Sequence, residues 1–179
     1  MVTAVPHGLT TPATVSADEH RLLMSAYPTG VSVITAVDAD GRPHGMTCTS
    51  LSSVTLHPPT LLICLNAGSG TLAGIRDRGA FAVNLLHSGA RATAELFASS
   101  SADRFRDVAW LPAERSGAPW LVDDALAVAE CSVRARLPVG DHEVVLGEVL
   151  SLRYSGGNPL LYGMRRYSWF DATCEAVGS

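Results

Sequence analysis

Leu22, Leu23 and Ala26 fall at helical spacing between Ser16 and Pro28, and Ser16 stands three residues before Glu19, the spacing of a capping box. The pattern predicts a helix that opens after Ser16 and stops at Pro28 and Gly30. The period then shortens. "VSVITAV" (31–37) is rich in β-branched residues, "DADG" (38–41) is a turn signal, and "GMTCTSLSSV" (45–54) continues as an extended segment, so the three read as a hairpin. Pro58 and Pro59 break that second strand, and a short buried strand is predicted at 61–65. "GTLAGIRDRG" predicts a two-turn helix, "AFAVNLL" (80–86) a buried strand and "ARATAELFASS" a second short helix, before a mixed, loop-like stretch from 99 to 120. The runs "ALAVAECSVRARL", "HEVVLGEVLSLRY" and "PLLYGMRRYSWF" then read as long strands. Few short helices among many adjacent strands favour an antiparallel barrel over an alternating parallel sheet. Residues 1–15 and 172–179 read as tails, with one domain over 16–171.

Composition removes several classes of function. Hydrophobic residues make up 47% of the chain and charged ones 17%, enough for one packed core. The net charge is -4 with no basic stripe, which argues against nucleic acid, and all thirteen basic residues are Arg. Cys48, Cys64, Cys131 and Cys174 form no CxxC pair, and the histidines show no paired ligand spacing, so neither a disulfide framework nor a metal site is expected. The N-terminal "MVTAVPHGLTTPATVS" lacks the charged and apolar regions of a secretory signal, and no apolar run reaches a membrane span. A reducing cytoplasm is the expected compartment, with no membrane partner.

The candidate chemistry begins with the hydroxyls. Thr47, Thr49, Ser50, Ser52 and Ser53 lie within ten residues of a predicted strand whose entrance, Gly45, admits close approach to the backbone. Such a row suits a ligand rich in hydrogen-bonding edges. Downstream, "GSGTLAG" (68–74) follows a strand and opens a helix, a relaxed form of the dinucleotide fingerprint. A true fingerprint needs an acidic residue at the end of the next strand, and here that strand ends in Asn84, Leu85, Leu86 and His87. The physical content that survives is Ser69 and Thr71 at a helix start, where amides and the helix dipole favour a phosphate.

These pieces occur in an order that resembles the short-chain flavin reductase family, the reductase partners of two-component flavin-dependent monooxygenases. The resemblance rests on "GVSVITAVDADGRPHGMTCTSLSSVTLHPPTLLICL", "FAVNLL", "LFA", "DRF" (103–105), "GDH" (140–142) and "PLLYGMRRY" (159–167), from about Leu22 to Phe170. It implies a mostly β, split antiparallel barrel of Greek-key type with a few short helices, assembled as a homodimer that holds FAD or FMN near its interface. Thr47, Cys48, Thr49 and Ser50 would follow the isoalloxazine, Ser52 and Ser53 the ribityl chain or phosphate, and Asn66, Ala67, Ser69 and Thr71 the phosphate side. Many relatives carry Arg or Lys near position 67, so Ala67 implies a weaker grip, or flavin held as a substrate. His142 would orient the reduced nicotinamide as the catalytic residue, flanked by Arg166 and Tyr167. NADH is expected over NADPH, because no Arg cluster for a 2′-phosphate is evident. The implied partner is an oxygenase on another chain, supplied through diffusing reduced flavin.

Other residues read as structural. Asp141 is a turn residue, Asn84 a buried amide satisfied by backbone, Arg104 a loop anchor through an ion pair, and Phe97 a core side chain. Trp110, Trp120 and Trp169 read as core or dimer contacts. Two other functions compete with the reductase: a tightly flavin-bound carrier or store of the same fold without nicotinamide turnover, and a non-flavin dinucleotide module built on "GSGTLAG".

Overall fold

The computed structural model describes residues 14–101 and 103–170. Helix α1 (Ala17–Ser25) opens on the predicted capping box: Ser16 accepts from the Glu19 amide, and the Glu19 carboxylate accepts in return from the Ser16 amide. Then come β1 (Thr29–Gly30), β2 (Ser32–Val37), β3 (Pro43–Cys48), β4 (Ser52–Leu56) and β5 (Pro59–Asn66). Helix α2 (Gly70–Arg78) is capped by Ser69 and ends at Gly79, whose φ of 65° places it in the left-handed region. The chain continues through β6 (Ala80–Leu86), α3 (Arg91–Ala98), a 3-10 turn at Arg104–Arg106, β7 (Trp110–Pro112), β8 (Pro119–Leu121), β9 (Ala125–Val139), β10 (His142–Tyr154), β11 (Leu160–Gly163) and β12 (Arg166–Trp169). The expected tails lie outside the described residues apart from Thr14 and Val15, as does Cys174.

The fold is mostly β and antiparallel. Seven strands form one sheet in the order β3-β2-β6-β9-β10-β5-β4, while β1-β11-β12 and β7-β8 form small sheets. Parallel pairing is absent among the described residues, so the dinucleotide-fold reading of "GSGTLAG" falls. The large sheet is not closed by pairing between its edge strands β3 and β4. The single extended segment expected over 45–54 is in fact two strands, interrupted at 49–51. The reason is Ser50: its hydroxyl accepts from the Cys64 amide (3.1 Å) and donates to the Cys64 carbonyl (2.9 Å). One side chain thus satisfies backbone groups of β5 beyond the end of its pairing with β4.

Alternation along the central strands sends side chains to two apolar clusters, which explains their near-continuous hydrophobic runs. Val33, Ala82 and Val128 face one cluster, covered by α3 with Phe97; Ile34, Phe81, Val83 and Ala129 face the other, covered by α2 with Leu72 and Ile75. Asn84 sits fully buried in this sheet as predicted, donating to the Val33 and Pro119 carbonyls and accepting from the Leu121 amide. Trp110 and Trp120 pack against the first cluster, whereas Trp169 is exposed. The apolar stripe of α1 is exposed as well: Leu22, Leu23 and Met24 touch no core of this chain. Among the described residues no helix is long and apolar enough to cross a membrane, and no group of three potential metal ligands occurs.

Candidate functional site

Two depressions flank the hydroxyl-bearing segment. The smaller, about 390 Å³, lies between β3, the start of α2 and the end of α3, and brings Thr47, Ser69 and Thr71 together with His44, Arg104 and Phe105. The larger, about 930 Å³, is lined by Thr49, Ser50 and Ser52 together with Arg21, Tyr162 and Arg165. The row of hydroxyls is therefore divided: Thr47 faces one groove, Thr49, Ser50 and Ser52 the other, and Ser53 lines neither.

The floor of the smaller groove depends on Gly45. A Cβ there would lie 2.7 Å from the Phe97 ring and 3.0 Å from Phe105. The close approach expected at this glycine is real, and what approaches is protein. Phe97 and Phe105 meet edge to face at 5.1 Å. Arg104 anchors the loop as predicted, although not by an ion pair: it donates to the carbonyls of Gly45 (2.8 Å) and Ser99, and its buried Nε has no partner.

The groove's polar wall is the first turn of α2. Ser69 accepts from the Leu72 amide (3.2 Å), which leaves the amides of Gly70 and Thr71 without a partner inside the helix. His44 lies against this turn, so that a Cβ on Gly70 would sit 2.8 Å from His44 Nδ1. Its Nε2 is 3.0 Å from Asp38 Oδ2, and the hydrogen bond from His44 holds the Asp38 carboxyl below its ordinary range. Asp38 is fixed in turn by the amides of Asp40 and Arg42. Glycine at the contact, free amides and a hydroxyl-bearing strand opposite are what a phosphate-bearing, hydrogen-bonding ligand such as a flavin requires. The signal for His44 was in the sequence, beside Gly45, but its reach to α2 is a tertiary fact.

Several predicted hydroxyls already have protein partners. Thr47 donates to the Ala94 carbonyl of α3 at 2.6 Å, Ser50 bridges to Cys64, and Ser52 donates to the Ser53 carbonyl. Cys48 is buried with its Sγ 3.1 Å from the Ser50 hydroxyl, and burial pushes its thiol pKa up. Substituting Ser50 would thus disturb the strand edge, while Thr49 offers a cleaner probe. Thr49→Val is expected to weaken flavin binding by about one hydrogen bond, ~1 kcal/mol, with unchanged thermal stability. Titration calorimetry showing unaltered affinity would remove Thr49 from the site.

Asn66, Ala67 and His142 form a third group. The Asn66 side chain accepts from the Gly68 amide, Ala67 donates to the Asp141 carbonyl (2.9 Å), and His142 pairs across the strands with Asn66. The half-exposed His142 ring is oriented by Asp141 at 2.8 Å, and this bond lowers the Asp141 pKa. The "GDH" turn therefore docks beside the segment that leads into Ser69. Arg166 and Tyr167 lie elsewhere: Tyr167 packs against Tyr162 at 5.1 Å with Arg91 over its ring, and burial followed by the nearby Glu95 raises its pKa. The two described grooves on either side of the hydroxyl segment include neither His142 nor Arg166 nor Tyr167 in their linings.

This architecture, an antiparallel sheet with a hydroxyl row and a helix start on one groove, matches known proteins. Residues 24–171 match the model of the flavin reductase like domain, and the chain belongs to that family. It is 56% identical over 156 residues to a flavin reductase (NADPH) of Lentzea aerocolonigenes, covering 87% of this chain and 91% of that protein. It is 36% identical to the reductase component of a 4-nitrophenol 4-monooxygenase/4-nitrocatechol 2-monooxygenase of Rhodococcus opacus, covering 85% and 80%. The solved NADH:FAD oxidoreductase of Streptomyces globisporus, in complex with NAD and FAD fragments, superposes with a TM-score of 0.81 at 32% identity, covering 91% of this chain and all of that one.

Proposed function

We propose that this chain binds flavin along β3 and at the start of α2, reduces it with a nicotinamide dinucleotide, and releases it to a flavin-dependent monooxygenase. The reaction class is that of the family: the protein is an NAD(P)H-dependent flavin reductase acting on FMN or FAD. The observation that carries the assignment of the site is the meeting of Thr47 with the free first-turn amides of α2 across one groove.

When bound, the flavin accepts at its N5 the hydride that the reduced nicotinamide gives up. The chain's part is to place and hold. In this reading Thr47, Cys48, Thr49 and Ser50 meet the ring largely through backbone groups, since the hydroxyl protons of Thr47 and Ser50 are committed to carbonyls. Ser52 and Ser53 serve the ribityl side. Asn66 and Ala67 shape the turn that presents Ser69, Thr71 and the Gly70 amide to the phosphate. With alanine at 67 that segment adds no cation, and amide hydrogen bonds without a paired charge give a grip suited to a flavin that leaves as product.

The catalytic role falls to His142, which Asp141 orients beside Asn66. His142→Ala is expected to raise the KM for the nicotinamide substrate by up to about tenfold, the loss of about one hydrogen bond, while flavin affinity changes little. An unchanged nicotinamide KM would end that role. Arg166 and Tyr167 join the same pocket only if a second copy supplies one side of it, which is a reason to propose the split-barrel homodimer.

The exposed apolar surface supports that assembly. Leu56 and Leu152 are each about two-thirds exposed or more, and with Leu51, Leu61, Leu85 and Val149 they line a mostly apolar groove of about 320 Å³. Light scattering is expected to give twice the 18.8 kDa chain mass, and a monomer would contradict the dimer. The free thiols of Cys48, Cys64 and Cys131 are consistent with work in a reducing cytoplasm.

Anaerobic bleaching of flavin near 450 nm separates reductase from carrier. The reductase reading predicts that one equivalent of protein with excess nicotinamide reduces many equivalents of FMN or FAD. Bleaching that stops at one equivalent would favour the tightly bound carrier instead.

A further inference from the structure

The larger groove, about 930 Å³, carries two arginines and two tyrosines that take no part in the proposed flavin site. Arg21 comes from α1 and Arg165 from the tip of the β11–β12 hairpin, while Tyr27 and Tyr162 provide aromatic faces. The described lining contains no Asp or Glu, and Asp18, which binds Arg21 at 2.7 Å, holds that guanidinium from outside it. The opposite wall is the Thr49–Ser52 loop, the segment proposed above to meet the flavin.

The hairpin tip is unusual in its chemistry. Met164 and Arg165 both have positive φ, 49° and 58°, the turn geometry for which Asn-Gly is the favoured pair. Both side chains disfavour that conformation, and a strained backbone retained at a groove points to a use for the side chain it presents. Two contacts fix the tip against α1 and its exit: the Met164 amide donates to the Ser25 carbonyl at 2.6 Å, and a Cβ on Gly163 would lie 3.1 Å from Pro28. Arg165 is thereby brought to the same groove as Arg21.

We propose that this groove takes the adenosine end of the nicotinamide dinucleotide, and that Arg165 with Arg21 binds its 2′-phosphate, so that the enzyme selects NADPH over NADH. The inference rests on the flavin reductase reading. A phosphate monoester is a near-dianion with oxygens spaced for the planar guanidinium fork, and an adenine ring needs an aromatic face such as Tyr162. The volume is in the range of small-molecule sites. Arg21 and Arg165 stand far apart in the sequence, and the docking of the hairpin on α1 brings them to one groove.

Arg165→Gly is the informative variant, because glycine relaxes the left-handed turn and keeps the hairpin. The wild-type kcat/KM is expected to favour NADPH at least tenfold; in the variant the NADPH value falls by roughly 10- to 100-fold while the NADH value stays within about twofold, the loss of one or two charge-assisted hydrogen bonds. Arg21→Ala is expected to act in the same direction. Calorimetry gives a readout independent of turnover: 2′,5′-ADP is expected to bind the wild type more tightly than 5′-AMP, and to lose that advantage in Arg165→Gly. Equal losses for both dinucleotides, or equal binding of the two adenosine phosphates to the wild type, would overturn the proposal. Should neither dinucleotide be oxidised with any flavin, the reductase reading fails, and the calorimetric comparison alone decides whether the 2′-phosphate site exists.

Discussion

Valine at position 70 is expected to lower flavin affinity by ten- to a hundredfold, with the fold intact. A Cβ at Gly70 would meet His44 Nδ1 at 2.8 Å, and the β-branch adds bulk over the first-turn amides of α2. His44 would have to leave Asp38, and the amides of Gly70 and Thr71 would be covered. A phosphate held by those amides then loses hydrogen bonds to a charged group, each worth about 1.5–3 kcal/mol, and tenfold in affinity corresponds to about 1.4 kcal/mol. Helix stability does not suffer, because valine is a better helix former than glycine. Fluorescence titration with FMN measures the affinity and a melting curve the fold. Unaltered flavin affinity in a folded Gly70→Val protein would remove the α2 start from the site.

The largest effect on stability is expected at Phe81. Its side chain is fully buried in the cluster beneath α2, and its ring rests directly on Gly147: a Cβ there would lie 2.4 Å from Phe81 Cζ and 3.0 Å from Cys131. Gly147 also stands at a register shift between β9 and β10, where a side chain would have nowhere to go. Phe81→Ala should cost about 3–5 kcal/mol, which for a chain of this size lowers Tm by about 10 °C. The two positions should be strongly coupled. Gly147→Ala overpacks the native core but partly fills the cavity left in Phe81→Ala, so the double variant is expected to be more stable than the sum of the single losses implies. Additive losses would show that the ring and the glycine do not constrain each other.

How far the sequence carried can be seen in particular elements. Helix α1, the β2–β3 turn, the cap of α2 and the long strands β9 and β10 were legible because each depends on local periodicity or on a cap within a few residues. The break at 49–51 was not, since a run of Ser, Thr, Leu and Val is compatible with one strand, and only the distant Cys64 backbone makes Ser50 end it. The β7–β8 hairpin inside the loop-like stretch is three residues a side and carries prolines at its ends, too short to show a period. Of the candidate site, Thr47, Ser69 and Thr71 were found by residue type and do share a groove. The hydroxyls of Thr47 and Ser50 also serve the fold, a division of labour that a string of letters does not display. His44, Arg21 and Arg165 were missed because each gains its meaning from a partner far away in the chain.

This chain is proposed to move electrons from a nicotinamide to a flavin that it does not keep. Absorbance at 340 nm measures it most directly, with purified protein freed of flavin, NADPH or NADH, and FMN or FAD added in turn under air. No oxidation is expected without flavin, steady oxidation when flavin is added, and faster turnover with NADPH. No oxidation with any pair, or oxidation independent of added flavin, would contradict it.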